Sequence, residues 1–139
     1  MATIEIRMLG DFEILVNGKP ALAQLATSRK ATALVQYLVL QRGQRVPHKL
    51  LTDALWAGER STNPDMALRA ILHRFRNMIE AEGLTELQNC IVTSRGYYQW
   101  NPNLDCAVDV FTLEDLSAQV RQEESPESRA KLYEQIIDL

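Results

Sequence analysis

The spacing of apolar residues changes twice along this chain of 139 residues, and this change limits the fold more than any other feature. Apolar and polar residues alternate over 4–16, which predicts short β-strands. Over 31–79 the apolar residues recur every three or four positions, which predicts helices. Alternation returns over 91–100. The sequence therefore predicts an α+β fold in which a helical segment lies between two β-segments.

The first β-segment contains two turn signals. Gly10-Asp11 separates its two apolar runs, and Asn17-Gly18 follows the second. Asn-Gly favours the tight turn of a β-hairpin because both residues readily adopt positive φ. We therefore expect a small antiparallel sheet at the N-terminus.

The helical segment divides into three helices at residues that start or end helices. Ser28 and Gly43 bracket the first helix, and Pro47 begins the second. The third helix spans 64–82, with Asn63 as its N-cap. The apolar face of the second helix is expected to hold Leu50, Leu51, Ala54 and Leu55.

The third helix has one apolar and one cationic side. At about 100° per residue, its apolar side chains group together: Leu68, Ile71, Leu72, Phe75, Met78 and Ile79. The opposite side and its flanks carry Arg69, Ala70, His73, Arg74, Arg76 and Asn77. Taken alone, such a helix is more often a solvated amphipathic helix than a binding surface.

The charge of the chain is unevenly distributed. The net charge is −3, yet residues 28–101 carry ten Lys and Arg against six Asp and Glu. Residues 102–139 carry three against nine. The acidic surplus therefore belongs to the C-terminal part, and the middle of the chain is suited to contact with a polyanion.

The segment 91–100 is predicted to form a hairpin with Arg95 near its tip, which alone would be an ordinary surface charge. The element order is then sheet, three helices and hairpin, which is that of a winged helix-turn-helix. The major groove of B-DNA is about 12 Å wide and accepts one α-helix. A hairpin beside that helix can reach the neighbouring minor groove, where an arginine meets concentrated negative potential.

This order predicts a role for each polar side chain on duplex DNA. Candidate base contacts are Arg69, His73, Arg74 and Asn77, because arginine pairs with guanine and asparagine with adenine. Candidate backbone contacts are His48, Lys49, Arg60, Arg76 and Thr93. Arg95 is the candidate for the minor groove. Helix 64–82 would enter the major groove and wing 91–100 the adjacent minor groove.

We place a domain boundary after Asn101. Residues 1–101 are predicted to form the winged-helix domain, and 102–139 two acidic helices arranged as a hairpin. Ser125 and Pro126 suit the start of the second of these helices. Because the chain stops at the apolar Leu139, we expect the helical region to continue in a longer protein.

Several function classes receive no support from the sequence. There is no glycine-rich phosphate loop, no clustered set of metal ligands and no recognisable nucleophile arrangement, so no enzyme, metal or cofactor is expected. No apolar run approaches the roughly 20 residues that span a bilayer, and the N-terminus lacks a signal peptide. A cytoplasmic protein without membrane contact is expected.

Five segments in order resemble one known family. They are "IRMLGDFEILVNGKP", "RKATALVQYLVLQRGQRVPHKLLTDALW", "ALRAILHRFRNMI", "TSRGYYQW" and "VDVFTLEDL". Together they are similar to the Streptomyces antibiotic regulatory protein (SARP) type of transcriptional activator, over essentially the whole chain. Two positions depart from that family's pattern: Tyr97 stands where the wing commonly has a second glycine, and Phe75 where a leucine is common.

The resemblance implies a fold and a set of partners. The fold is a response-regulator-like winged helix-turn-helix followed by the start of a bacterial transcriptional activator domain, a helical hairpin of tetratricopeptide-like type. The partners are double-stranded DNA with promoter repeats, RNA polymerase and a second copy of the chain, as a homodimer on DNA. The polymerase-facing loop would hold Ala57, Gly58, Glu59 and Arg60.

One alternative of a different class remains open at this stage. Winged helices also serve as protein–protein interaction modules without specific DNA binding, and the helical faces of 102–139 could pair with further repeats.

Overall fold

The computed structural model describes residues 3–57 and 63–139, without the side chain of Ala26. Over these residues the chain forms seven short strands and five α-helices, which is the predicted α+β class with a winged-helix-like arrangement. Two compact units are present. One comprises Met1–Pro20 with Cys106–Leu139, and the other comprises Ala21–Asp105.

The first unit contains a four-stranded sheet of order β3-β2-β1-β7. Its strands are β1 (Ile4–Arg7), β2 (Glu13–Val16), β3 (Lys19–Ala21) and β7 (Ala107–Val108). β1 and β2 are antiparallel, with Ile4 opposite Val16. Asn17 and Gly18 have φ of 53° and 79°, the backbone that the Asn-Gly pair predicts for a tight hairpin turn. β7 joins β1 in parallel, which the sequence analysis did not predict.

Two helices complete the first unit. α4 (Asp109–Gln122) and α5 (Pro126–Ile137) pack against each other, as the predicted helical hairpin requires. The side chain of Ser125 accepts a hydrogen bond from the Ser128 amide and caps α5. At the start of α4, the Asp109 carboxylate accepts bonds of 2.8–3.0 Å from the amides of Met8 and Leu9. This carboxylate therefore ties the end of β1 to α4 across about a hundred residues of sequence.

The second unit contains three helices and a small sheet. The helices are α1 (Arg29–Leu40), α2 (His48–Leu55) and α3 (Pro64–Ala81). The strands are β4 (Val46–Pro47), β5 (Ile91–Ser94) and β6 (Tyr97–Trp100), in the order β4-β6-β5. Short 3₁₀ helices at Ala23–Thr27 and Thr85–Leu87 precede α1 and follow α3.

All three helices of the second unit contribute to one core. Pairwise contacts join α1, α2 and α3, and α1 also packs on β6. The most deeply buried side chains are Leu25, Leu34, Val35, Leu38, Val39, Leu51, Leu68, Phe75, Leu87 and Cys90. Burial of apolar area at this density is the main stabilising term for the unit.

The predicted apolar face of α2 is wrong in part. Leu50 is 51% exposed and Ala54 is exposed as well, whereas Leu51, Thr52 and Leu55 are buried. At about 100° per residue, Leu50 lies nearly opposite the centre of that buried arc. Periodicity alone could not orient this helix because eight residues contain only two turns.

The domain boundary predicted after Asn101 stays a prediction. The two packed units divide the chain elsewhere, at Pro20/Ala21 and at Asp105/Cys106. The division falls at these positions because β7 and α4 pack with β1. The N-terminal strands therefore belong to the same unit as the C-terminal helices α4 and α5, and α1 belongs to the other unit.

Replacement of Asp109 tests the tie between β1 and α4. We expect Asp109→Ala to lower the stability of the first unit by about 1.5–3 kcal/mol, the range for hydrogen bonds to a charged group. Amide hydrogen exchange at Met8 and Leu9 should accelerate. Asp115→Ala, an exposed position on the same helix, is the matched control and should change stability by about 0.5 kcal/mol or less. Equal effects of the two variants would contradict the assigned role.

Candidate nucleic-acid interface

α3 presents the cationic side that the sequence predicts. The side chains of Arg69, His73, Arg74 and Asn77 are exposed. The opposite side is buried, with Leu68, Ile71, Leu72, Phe75 and Ile79 in the core. The helix begins where expected, because the Asn63 side chain accepts a bond of 3.1 Å from the Met66 amide. It ends at Ala81, one residue before the predicted end.

The exposed residues of α3 occupy different parts of its outer arc. At about 100° per residue, His73 and Asn77 lie near the centre of that arc, opposite the core. Arg69 and Arg74 lie about 140° apart on its two flanks. The four predicted base contacts therefore do not form one cluster, and Arg69 and Arg74 face different surroundings.

The wing is a tight hairpin attached to the helices. β5 and β6 are antiparallel, with Ser94 opposite Tyr97. The two-residue turn consists of Arg95, which is exposed, and Gly96, whose φ of +81° explains the need for glycine there. The Gly96 carbonyl accepts a bond of 3.0 Å from the His48 amide. The first residue of α2 is therefore bonded to the tip of the wing.

α3 and the wing share one concave surface, which we call the wing cleft. It has a volume of about 450 Å³. Its polar lining consists of His48, Arg69, His73, Arg76, Thr93 and Ser94, and the buried side chains of Leu72 and Tyr98 complete it. The cleft thus brings together five of the residues that the sequence analysis selected, from α2, α3 and β5.

Arg76 has a structural bond in addition to its place in the cleft. Its Nη2 donates to the Ile91 carbonyl at 3.2 Å, which connects α3 to the first wing strand. An arginine guanidinium has five N–H donors, so this bond uses a minority of them. Arg76 can therefore keep its bond to the Ile91 carbonyl and still have donors for the predicted phosphate contact.

His48 is held in place while one of its nitrogens lacks a partner. Its ring packs edge-on to the Tyr98 ring, with centroids 4.7 Å apart and planes at 87°. Its Nε2 is buried and has no hydrogen-bond partner among the described residues. Buried polar atoms are normally paired, and among the described residues this nitrogen and the Trp100 Nε1 are exceptions.

Tyr98 lies beneath the charges of the cleft. Burial raises the pKa of its phenol above the ordinary value of 10.0, the nearby Arg69 and Arg76 oppose that shift, and Asp65 adds to it. Neither Tyr98 nor Ser94 was selected from the sequence. The alternation of β5 and β6 could have indicated them, because residues directly opposite on adjacent strands lie close together.

The remaining predicted residues lie outside the cleft or outside the described chain. Lys49 is exposed on α2 and Ala57 is exposed just after it. Gly58, Glu59 and Arg60 lie outside the described residues, so the polymerase-facing loop is described only at Ala57. An unpredicted cation, Arg45, lies over the Tyr97 ring at 4.8 Å and flanks the wing.

Within 3–57 and 63–139, no group of His, Cys, Asp and Glu side chains has the arrangement of a metal site. Over the same residues, no helix combines the length and the apolar character needed to cross a membrane.

Comparison with known proteins shows the fold. No family model matches the chain, and no curated protein matches it. Among solved structures, the chain is similar to Mycobacterium tuberculosis EmbR in complex with a low affinity phosphopeptide, with a TM-score of 0.66 and 18% identity. The match covers 87% of this chain and 31% of the EmbR chain, so this chain spans about a third of EmbR. This likeness supports the fold that the sequence resemblance implies.

The raised pKa of Tyr98 predicts how the second unit responds to alkali. The folded unit retains the phenolic proton at pH values where the unfolded chain has lost it. The stabilisation from this proton is therefore complete below pH 10 and is lost as the pH rises through the folded value. In a titration of the chain followed by tyrosinate absorbance, Tyr98→Phe should remove the absorbance increase that occurs at the highest pH. Tyr133→Phe, a change at an exposed tyrosine, should leave that increase in place. If Tyr98→Phe instead removed absorbance that appears at lower pH, the raised pKa of the buried Tyr98 would be contradicted.

Proposed function

We propose that the chain is a sequence-specific DNA-binding transcriptional regulator of the activator type. α3 enters the major groove, and the hairpin of β5 and β6 enters the adjacent minor groove. The observation that carries this proposal is the wing cleft. Cationic side chains of α3 and polar side chains of the wing line the same concave surface, as a protein that contacts two neighbouring grooves requires.

The shape of B-DNA explains why a cleft supports this reading. Adjacent major and minor grooves are separated by one sugar–phosphate backbone. A protein that inserts a helix in one groove and a hairpin in the next must leave a concave space for that backbone. Arginines and hydroxyl groups suit the walls of such a space, because phosphate oxygens only accept hydrogen bonds. The wing cleft has this composition.

The distribution of charge supports the same partner. The second unit, Ala21–Asp105, carries ten Lys and Arg against seven Asp and Glu. The first unit carries five against eleven. The cationic surplus is therefore confined to the unit that contains α3 and the wing, where phosphate neutralisation would stabilise a complex.

Each polar residue keeps a defined role in the proposal. His73 and Asn77, at the centre of the outer arc of α3, contact base edges, and Arg69 and Arg74 contact bases from its flanks. Arg95 at the wing tip enters the minor groove. The backbone contacts are His48, Lys49, Arg76, Thr93 and Arg60, the last of which lies outside the described residues.

The remaining partners of the proposal come from the sequence resemblance. They are tandem promoter repeats, RNA polymerase through the loop at 57–60, and a homodimer formed on DNA. A cytoplasmic location follows from these partners. The likeness to EmbR supports them only through the fold that the two chains share.

The rival proposal is a protein–protein interaction module. Exposed apolar side chains favour it. In the second unit they are Leu40, Leu50 and Met66, and on α5 they are Tyr133 and Ile137. In the second unit these are single positions on three different helices, and scattered apolar side chains are common on protein surfaces. Tyr133 and Ile137 lie one turn apart on α5, outside the unit that contains the cleft. The cationic cleft therefore favours DNA over an apolar docking partner.

Selection of genomic fragments by the purified chain, followed by titration in salt, separates the two proposals. We expect enrichment of related sequences, and an affinity that falls steeply with ionic strength because bound phosphates release counterions. Binding measured from 50 to 200 mM salt should weaken by roughly 10²-fold or more if several phosphates are contacted. The absence of any enriched sequence would favour the docking module.

Two substitutions separate base contacts from backbone contacts. Arg74→Ala should weaken the selected site much more than random duplex, because a base contact contributes about 1–3 kcal/mol of discrimination. Lys49→Ala should weaken both duplexes alike and reduce the salt dependence by about one counterion. Both side chains are exposed, so neither change should unfold the protein. Equal losses on both duplexes for both variants would contradict the division of roles.

A further inference from the structure

The small sheet that contains the wing has a second face, to which the proposed function gives no role. Side chains alternate between the two faces of a strand. Val46 and Tyr98 are opposite each other on β4 and β6, and both are buried. The alternate positions Pro47, Tyr97 and Gln99 therefore lie on the other side, which we call the outer face. Pro47 is exposed, and the other two are half-buried.

Arg45 places a cation on the outer face. Its guanidinium carbon lies 4.8 Å from the centre of the Tyr97 ring, and the residue is exposed. Tyr97 directly follows the turn Arg95-Gly96, so the guanidinium lies near the tip of the wing although Arg45 itself precedes β4. The outer face therefore presents a positive charge close to the segment that is proposed to enter the minor groove.

The backbone that carries Arg45 is held on both sides. The Gln99 side chain donates a hydrogen bond of 2.6 Å to the Gly43 carbonyl, two residues before Arg45. Directly after Arg45, Val46 pairs with Tyr98 in the sheet. A side chain whose backbone and ring partner are already fixed loses less conformational entropy when it binds a ligand.

The guanidinium of Arg45 keeps its hydrogen-bond donors available. Stacking on a ring uses the flat side of the guanidinium, whereas its five N–H donors lie at the edge. Arg45 also takes part in none of the ion pairs among the described residues. Arginine combines stacking on aromatic rings with bidentate recognition of phosphate. The arrangement on Tyr97 is therefore suited to binding a phosphate.

A hairpin inserted in the minor groove has a sugar–phosphate strand on each side. In the proposed complex, the strand between the two grooves lies against the wing cleft, which Tyr98 lines. The Tyr97 side chain belongs to the opposite face, so the second strand of the minor groove lies on the side of Tyr97 and Arg45. The minor groove of B-DNA is only about 6 Å wide, which brings this second strand close to the outer face.

We propose that Arg45, supported by the Tyr97 ring, binds a phosphate of this second strand, so that the wing is held by both strands of the minor groove. This inference rests on the proposed function and adds a contact that it does not contain. The group bound is one phosphodiester of double-stranded DNA, on the minor-groove strand farther from α3. Arg45 makes the contact itself, and Tyr97 is a positioning residue that acts through Arg45.

Duplexes with single neutral methylphosphonate linkages, scanned along both strands of the selected site, locate this contact. For the wild-type chain, a neutral linkage at one position on the farther strand should weaken binding by about tenfold, as for the loss of a hydrogen bond to a charged group. Arg45→Ala should weaken binding to the unmodified duplex by a similar factor. It should lose sensitivity at that one linkage only, because both changes remove the same interaction.

Arg29→Ala is the matched control for the removal of a positive charge. Arg29 is an exposed arginine of the same unit, and the 12 residues of α1 that separate it from the segment before β4 span about 18 Å. At that distance its charge is largely screened, so affinity should change by less than about twofold. The pattern of methylphosphonate sensitivity should stay that of the wild-type chain. Both arginines are exposed, so both variants should unfold at the wild-type temperature.

Two substitutions of Tyr97 test the support that its ring gives to Arg45. Tyr97→Phe keeps an aromatic face under the guanidinium and should bind like the wild-type chain. Tyr97→Val keeps a residue that is favoured in strands but removes the ring. This variant should lose affinity together with the sensitivity at the same linkage. A merely structural role of Tyr97 would weaken binding and leave that sensitivity in place.

The outcomes distinguish this inference from the proposed function. If Arg45→Ala weakens binding no more than Arg29→Ala, or stays sensitive at every linkage, the contact is wrong and DNA recognition stands. If Arg45→Ala affects only the joint binding of two copies to adjacent repeats, and not one copy on a single repeat, the outer face contacts a second protein and the inference is equally wrong. If the wild-type chain binds no duplex, the proposed function and the inference fail together.

Discussion

The burial of one side of α3 is the constraint on which the rest of the second unit depends. Leu68, Leu72, Phe75 and Ile79 fill the space between α3 and its neighbours, and each is at least about nine-tenths buried. Rotation of the helix about its axis would expose these side chains and bury Arg69 or Arg74 without a partner. Burial of an unpaired charge is strongly unfavourable. The outward direction of His73 and Asn77 is therefore a consequence of core packing.

The wing is attached to the same core at several points, three of which involve α2, α3 or the strand before α2. β4 pairs with β6, the His48 amide donates to Gly96, and Arg76 donates to Ile91. A two-stranded hairpin is at best marginally stable alone, so these attachments fix its position relative to α2 and α3. Preorganisation of this kind lowers the entropic cost of binding a ligand that contacts both elements.

Long periodic elements were predictable from the sequence, and short ones were not. The caps at Ser28 and Asn63 and the hairpin 91–100 were predicted because each has a local chemical signal. β4 and β7 contain two residues each, which is too short to show a period of two. Their existence depends on partners distant in sequence, so no local pattern could indicate them.

The candidate site shows the same limit. Periodicity identified which residues of α3 face outward, because the position of its apolar side depends only on the sequence of the helix itself. It could not show that Arg69 and Arg76 face the wing whereas Arg74 faces away, since that depends on where the hairpin packs. The bond from Arg76 to Ile91 and the partnerless nitrogen of His48 are likewise properties of tertiary structure. Sequence reasoning found most of the residues, and the fold divides them between the wing cleft and the rest of the exposed side of α3.

The acidic total of the chain is compatible with a cationic site because electrostatic interactions are local. At physiological ionic strength the field of an exposed charge is screened over about 8 Å. What a phosphate experiences in the wing cleft is therefore set by the charges nearest to it. Arg69 and Arg76 both act on Tyr98, and Asp65 acts on it in the opposite direction. Two guanidinium groups against one carboxylate leave a local positive surplus, whatever the net charge of −3 for the whole chain.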